Sequence, residues 1–274
     1  MSLDEGWSVA LRRGTARGAG QVSAALAMLT RIPVPEHPRD LTGAAAYGLV
    51  GALVRALGGV VMLVLGGTIP TLAAILAVAT MAVVAGGIHL DGLADTMDAL
   101  LASDAGQAER ARKDPAIGSG GAVTLVLVLG AQVAALAALA GLPTGSGPTL
   151  ACLACIAAGS VSRALPVLVV QLRGGALSRG GLGSWFVDRV GGLDAVAAAL
   201  TAGLVIALTG LAAGGVAFIA GATVGAVLGI GIGLTLIRAR RQLDGDVLGA
   251  TVELGFAAVV GALAVTMSVT WPIR

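Results

Sequence analysis

Apolar segments long enough to cross a bilayer dominate this chain. A transmembrane helix needs about 20 consecutive apolar residues, and lipid offers no hydrogen-bond partners, so the backbone of each such segment has to be helical. We therefore predict an all-α fold, a polytopic integral membrane helix bundle, as a single membrane-embedded domain over residues 1–274. The predicted transmembrane helices, about seven in number, cover residues 44–65, 70–88, 120–141, 149–171, 192–213, 215–237 and 254–271.

The composition excludes an ordinary soluble domain. Hydrophobic residues make up 57% of the chain and charged residues 12%, and the mean hydropathy is +0.95. Glycine occurs 43 times, as expected where bilayer helices pack closely through small side chains. A net charge of +2 is too small to indicate a nucleic-acid partner. The high hydropathy makes the lipid bilayer the expected environment.

The N-terminal region carries its own signals. Residues 1–19 contain three arginines and are predicted to be a cytoplasmic or interfacial segment. Residues 21–30 form a short apolar helix that ends before the RIPVP sequence at 31–35, because a proline disfavours helical backbone at the residue before it. At roughly ten residues this helix is too short to span the membrane, so we expect it to be re-entrant or interfacial.

Charged residues lie on one side of the predicted bundle. The connections at 66–69 and 142–148 and the turn near Gly214 contain no Lys, Arg, Asp or Glu. Most of the charges fall on the other side, in the N-terminal region and in residues 89–119, 172–191 and 238–253. The positive-inside rule makes that side cytoplasmic. Charge on one side favours a catalytic face fed from the cytosol, whereas a transporter is expected to carry polar groups along a path to the far side.

The most informative polar stretch is residues 86–101, GGIHLDGLADTMDALL. It places Asp91, Asp95 and Asp98 at i, i+4 and i+7, so that on a helix their carboxylates share one face. Carboxylates stacked in this way repel one another, and a hard divalent cation such as Mg²⁺ turns the repulsion into attraction. We predict that these acids are catalytic metal ligands. His89 is either a catalytic residue, as a proton acceptor or a phosphate-orienting group, or an ordinary satisfied polar residue.

The segment that follows combines bases with glycines. Residues 109–121, ERARKDPAIGSGG, hold Arg112, Lys113, Asp114 and Gly118. Basic side chains bind phosphate oxygens, and glycines let backbone N–H groups approach an anion before a helix begins. Next to metal-binding carboxylates this favours phosphoryl transfer, with these four residues in substrate binding and Lys113 also catalytic. The alternative is a positive-inside anchor followed by a flexible turn.

A second loop also pairs bases with acids. In residues 238–253, RARRQLDGDVLGATVE, three arginines precede Asp244 and Asp246, and Glu253 follows seven residues after Asp246. A helix that starts near Asp246 would bring Asp246 and Glu253 to the same side, and we predict that both are metal ligands. The alternative is a stop-transfer anchor with an aspartate N-cap.

A third charged loop, residues 172–191, contains a Gly-Gly-Leu-Gly turn. Gly181 and Gly183 lie in this turn, and Trp185 and Phe186 follow it like the aromatic belt of a membrane interface. The loop is either a lid that binds substrate through its glycines or only a linker.

Two arginines fall inside predicted spans. An uncompensated charge there costs at least ~2.5 kcal/mol on insertion scales, so Arg55 and Arg163 should each face the bundle and find an acid or a substrate phosphate. For Arg55 we expect a structural ion pair or a shifted helix boundary. Arg163 reaches the charged face if its helix is displaced by a turn or two, and we predict that it binds substrate.

Together these motifs resemble those of a known family. The sequence GGIHLDGLADTMDAL followed by RKDPAIGSGGA is similar to the signature of the cobalamin synthases, the adenosylcobinamide-GDP ribazoletransferases of the late corrin pathway. LTRIPVP near the N-terminus, the GGLG turn and LDGDVLGATVEL also match family elements in the expected order, from about residue 28 to 256.

The resemblance implies that α-ribazole, or its 5′-phosphate, attacks the β-phosphorus of adenosylcobinamide-GDP with Mg²⁺ as cofactor. The products are adenosylcobalamin, or its 5′-phosphate, and GMP. The three acids of residues 86–101 would hold one or two Mg²⁺ ions on the diphosphate, and Arg112 and Lys113 would neutralise the charge on departing GMP. Asp246 and Glu253 would complete the metal site or accept the proton of the ribazole hydroxyl.

The resemblance also implies a multi-pass protein of the bacterial cytoplasmic (inner) membrane with its active face toward the cytoplasm. Whether it forms a homo-oligomer is left open. From the residues alone two other functions stay open. One is a CDP-alcohol-type membrane phosphotransferase, although the full Asp-Gly-x2-Ala-Arg pattern of those enzymes is absent. The other is a cation or vitamin transporter.

Overall fold

The computed structural model describes residues 18–38, 40–102, 116–143, 145–173 and 181–270, and these parts are helical with no strand. The all-α prediction is confirmed, whereas the single domain over residues 1–274 stays a prediction. The helices are α1 (Gly18–Leu29), α2 (Tyr47–Leu65, after a 3-10 turn at Ala44–Ala46), α3 (Pro70–Ala85), α4 (Ile88–Leu101), α5 (Ser119–Ala140), α6 (Gly147–Arg173), α7 (Gly181–Val187), α8 (Gly192–Ala212), α9 (Val216–Arg240) and α10 (Gly245–Thr270).

Six of the described helices are long and apolar enough to cross a membrane, namely α2 with the turn before it, α5, α6, α8, α9 and α10. A seventh crossing exists if α3 and α4 are taken together, although the two are bent by 94°. The prediction of about seven spans therefore depends on this bent pair. α1 is apolar and short, as predicted for a helix that does not span.

The bend between α3 and α4 is produced by two glycines. Gly86 and Gly87 have φ angles of 65° and 72°, in the left-handed region that residues with a side chain rarely adopt. A Cβ at Gly86 would also collide with the side chain of Arg31. Residues 70–88 were predicted as one straight span, but the helix ends at Ala85 and the acidic helix α4 leaves in a new direction.

The interior of the bundle holds several charged and polar side chains while many large apolar side chains face outward, as expected for a protein whose surface meets lipid. α6 is the most buried spanning helix, and it packs against α2, α5, α8, α9 and α10. Arg55, Gln132, Arg163 and Glu253 are all buried, whereas large apolar side chains point outward, for example Val64 at 70% exposure.

The start of α10 differs from the prediction. Residues 238–253 were predicted to be a loop, but α9 continues to Arg240 and α10 begins at Gly245. The charged ends of these helices lower the local hydropathy without breaking the helix, because charges at a helix end can stay in water. Asp244 caps α10 by accepting a hydrogen bond from the Val247 N–H at 3.0 Å, an aspartate N-cap of the kind that the alternative interpretation of this segment contained.

Candidate active site

A cleft of about 330 Å³ lies at the end of the bundle where α4, α7 and α10 begin. Its polar lining comes from three segments that the sequence singled out separately. These lining residues are His89 and Asp91 of α4, Gly181 and Gly183 of α7, and Asp244 and Asp246 at the start of α10. The aromatic side chains of Tyr47 and Phe186 complete it, stacked with their ring centroids 5.5 Å apart.

Two glycines allow α4 and α10 to approach closely enough to share the cleft. A Cβ at Gly92 would lie 2.9 Å from the carbonyl oxygen of Asp246, and a Cβ at Gly249 would lie 3.3 Å from Cα of His89. The first of these distances is too short for a real Cβ. Glycine at position 92 therefore places the acidic face of α4 beside Asp246.

The first turn of α7 is held against the start of α10 in the same way. A Cβ at Gly183 would lie 2.5 Å from the backbone nitrogen of Gly245 and 2.7 Å from the carbonyl carbon of Asp244. Both are backbone atoms and cannot move aside as a flexible side chain could. Gly181 and Gly183, which were predicted to lie in a turn, begin helix α7 and line the cleft.

We expect Gly183→Ala to lower the transfer rate at least about tenfold, because a displacement of about 1 Å at a site can cost 10²-fold. Gly192→Ala is the matched control, since a Cβ at Gly192 meets nothing within 4 Å and Gly192 does not line the cleft. Both variants are compared with the native protein by initial-rate assay and by thermal unfolding. Equal activity of the two variants would contradict this role of Gly183.

Three carboxylates line the cleft, those of Asp91, Asp244 and Asp246, and a fourth, that of Asp95, lies near them on α4. Asp95 lies close enough to Asp91 and Asp244 to be repelled by both, and Asp246 is repelled by Asp91, Asp95 and Asp244. Arg240 is the cation that offsets part of this repulsion at Asp95 and Asp246. Clustered carboxylate oxygens are the donor set that a hard divalent cation prefers. Among the described residues, no group of three His, Cys, Asp or Glu side chains is arranged to hold one ion.

Asp98, the third acid of the predicted face, has other partners. Its two carboxylate oxygens accept hydrogen bonds from the backbone N–H groups of Gly118 and Gly121, both at 2.8 Å. Asp98 thus satisfies free donors at the start of α5. The structure gives Asp98 a capping role in place of the predicted metal-ligand role. Gly118 was predicted to bind substrate, but its backbone N–H already donates to Asp98.

Glu253 lies inside α10 and not at its mouth. It is 4% exposed, and its Oε1 accepts a hydrogen bond from Arg55 Nη2 at 2.8 Å. Gln132 Nε2 donates to the other oxygen at 3.1 Å, and Arg163 Nη1 lies 3.9 Å from Oε1. The expected ion pair of Arg55 is therefore confirmed, whereas the predicted metal-ligand role of Glu253 does not fit these partners.

Arg163 was predicted to bind substrate, but the structure places it in this buried ion-pair cluster at 1% exposure, and it is not among the described residues that line the cleft. Gln132, Tyr47 and Phe186 were missed as candidates. A polar residue within an apolar span is itself a functional signal, and it could have identified Gln132. Arg112, Lys113 and Asp114 lie outside the described residues.

Along nearly its whole length the chain is similar to one family. The cobalamin-5-phosphate synthase family model matches residues 21–264. The adenosylcobinamide-GDP ribazoletransferase of Rhizobium meliloti is 33% identical over 272 residues, covering 90% of this chain and 96% of the relative. Those of Sinorhizobium medicae and Citrobacter koseri are 36% and 34% identical, over 90% and 85% of this chain and 96% and 94% of the relatives. No solved structure matches the chain.

Proposed function

The chain belongs to the cobalamin-5-phosphate synthase family and is a transferase of cobalamin synthesis, and we propose that it transfers the adenosylcobinamide-phosphate group of adenosylcobinamide-GDP. A ribose hydroxyl of α-ribazole, or of its 5′-phosphate, forms a bond to the phosphorus that carries the cobinamide. The bond from that phosphorus to the oxygen bridging to GMP breaks, and GMP leaves. The products are adenosylcobalamin, or its 5′-phosphate, and GMP.

The observation that carries this proposal is the meeting of three separate acidic and glycine-rich segments in one cleft. Asp91, Asp244 and Asp246 line it together with Gly181 and Gly183. Phosphoryl transfer depends mainly on positioning and on neutralising charge, and the cleft offers both oxygen donors and close backbone. Family membership leaves the CDP-alcohol phosphotransferase and the transporter without support.

We propose Mg²⁺ as the cofactor of this cleft, because the crowded carboxylates are short of positive charge. Mg²⁺ is commonly bound by one or two carboxylates plus substrate phosphates, so Asp91 with Asp95 or Asp246 would suffice. When bound, the ion neutralises charge on the diphosphate. Asp98 and Glu253 are not part of this ligand set, since other groups in the protein hold their oxygens.

The protein's own side chains position the reactants. Tyr47 and Phe186 give the cleft an apolar wall, which suits the ring system of a nucleoside. The hydroxyl proton passes to one of two groups that line the cleft beside Asp91, the His89 imidazole or the Asp246 carboxylate. Asp91 and Asp95 would hold the cation, which would supply positive charge to the diphosphate.

The protein is a multi-pass membrane protein, and we propose that it resides in the bacterial inner membrane with the cleft facing the cytoplasm. The support is the charge distribution, because the acids and the arginines gather at the end of the bundle that holds the cleft. Its water-soluble substrates would then enter from the cytosol. Homo-oligomer formation stays a prediction.

The proposed reaction is tested with purified protein in lipid nanodiscs. We expect GMP release with adenosylcobinamide-GDP plus α-ribazole or its 5′-phosphate, and none with a CDP-alcohol donor and a lipid alcohol. Removing divalent cations with EDTA should abolish the release, and excess Mg²⁺ should restore it. GMP formation that is unchanged by EDTA would contradict the cofactor, and transfer only from the CDP-alcohol donor would contradict the reaction.

A further inference from the structure

A second cleft, of about 390 Å³, opens beside α4. It is separate from the cleft described above, which we call the acidic cleft, but both are lined by Ile88 and Asp91. The remaining lining of the second cleft includes Arg31, which follows α1, and the two glycines at the bend before α4, Gly86 and Gly87. We call it the Arg31 cleft. Asp91 therefore stands at the junction of two spaces, as a residue between two substrates would.

The two clefts differ in charge. The acidic cleft is lined by Asp91, Asp244 and Asp246, whereas the Arg31 cleft contains one acid and one base. Arg31 is the single arginine or lysine among the described residues that line either cleft. A phosphate without a metal ion is repelled by three carboxylates but attracted by a guanidinium, which binds phosphate through two parallel hydrogen bonds.

Arg31 is held in place at the edge of its cleft. Its backbone N–H donates to the carbonyl oxygen of Val84 at 2.9 Å, which fixes it against the end of α3. Its side chain lies over Gly86, where a Cβ would collide with it. Around Gly87 a Cβ would meet nothing within 4 Å, so the cleft has open space beside the arginine. No ion pair within the described residues takes up the Arg31 guanidinium.

We propose that the Arg31 cleft binds a phosphate monoester carried by the acceptor nucleotide, and that Arg31 makes the enzyme prefer a phosphorylated acceptor. This rests on the proposed function. The diphosphate of the donor occupies the acidic cleft with its cation, and the acceptor's phosphate, which does not react, takes the cation-free site on the other side of Asp91. The acceptor hydroxyl then lies between the clefts. The family description, cobalamin-5-phosphate synthase, agrees with a phosphate that persists in the product.

The test compares two acceptors, α-ribazole and α-ribazole 5′-phosphate, in the native protein and in Arg31→Gln. We expect the KM for the phosphorylated acceptor to rise about 10- to 100-fold, as for the loss of a charge-assisted hydrogen-bond pair. The KM for α-ribazole and the kcat with either acceptor should stay within about threefold. Arg31→Lys keeps the charge but not the planar fork, and should recover part of the loss.

Arg238→Gln is the matched control, because Arg238 is exposed in the last turn of α9 and lines neither cleft. It should leave both KM values unchanged. An equal loss for the two acceptors in Arg31→Gln and Arg31→Lys would overturn the proposal, as would an unchanged KM for the phosphorylated one. So would a native enzyme that does not prefer the phosphorylated acceptor. Failure of the proposed function is a different result, namely no GMP release by the native protein with any acceptor.

Discussion

Asp91→Asn should lower product formation by about 10³-fold, the scale on which loss of one preorganised charge-stabilising group acts. Asp91 is the acid that lines both clefts, so its substitution would remove the cation ligand that we propose between the donor and the acceptor. Asparagine has nearly the same size and keeps one oxygen, so the fold should persist. The measurement is the initial rate of GMP release at saturating substrates, with thermal unfolding as a check on folding.

The control for this variant is Asp188→Asn, since Asp188 is exposed after α7 and lines neither cleft. It makes the same chemical change and should keep native activity. A higher Mg²⁺ concentration for half-maximal activity in any residual Asp91→Asn turnover would support the ligand role. Full activity of Asp91→Asn would be decisive evidence against it.

Glu253→Gln should destabilise the folded protein by about 3–5 kcal/mol, the usual result of leaving a buried charge without its partner. Arg55 and Arg163 both lie beside this carboxylate, at 2.8 Å and 3.9 Å, and both would lose their counter-charge. Such a loss is a large part of the 5–15 kcal/mol that stabilises a typical protein. It is measured as a lower unfolding temperature in detergent and as less protein recovered from membranes.

Two further variants separate charge from shape. Glu36→Gln makes the same change at an exposed site and should leave the unfolding temperature unaltered. The double variant Arg55→Met with Glu253→Gln removes one charge of each sign, so it returns the net charge of the cluster to its native value. It should recover part of the lost stability. A Glu253→Gln protein that unfolds at the native temperature would show that the ion pair contributes nothing.

Local patterns in the sequence predicted the parts of this structure that depend on one segment at a time. Hydropathy located the spanning helices, and the i, i+4, i+7 spacing correctly placed Asp91, Asp95 and Asp98 on a helix. The family resemblance also drew attention to the glycine turn, which was left open as a lid or a linker, and to Asp246, which was assigned to the metal. The hydropathy and spacing inferences each use the residues of a single contiguous segment.

Partners far apart in sequence could not be predicted in this way. Glu253 and Arg55 are 198 residues apart. Asp98 is 20 residues from Gly118, whose N–H donates a hydrogen bond to it. Periodicity shows which face of a helix is polar but not which neighbour that face meets. For this reason Asp98 and Glu253 were also assigned to the metal, although Asp98 caps a helix and Glu253 neutralises buried arginines.

α10 joins the cleft to the ion-pair cluster in the interior. Asp246 lies in its first turn, and Glu253 follows seven residues later, about two turns or roughly 10 Å along the axis. A helix is stiff over this distance, so a movement of Glu253 relative to Arg55 also displaces Asp246. The catalytic rate and the thermal stability of this enzyme therefore depend on the same helix. A detergent that loosens the packing of the interior will inactivate the enzyme before its helices unfold.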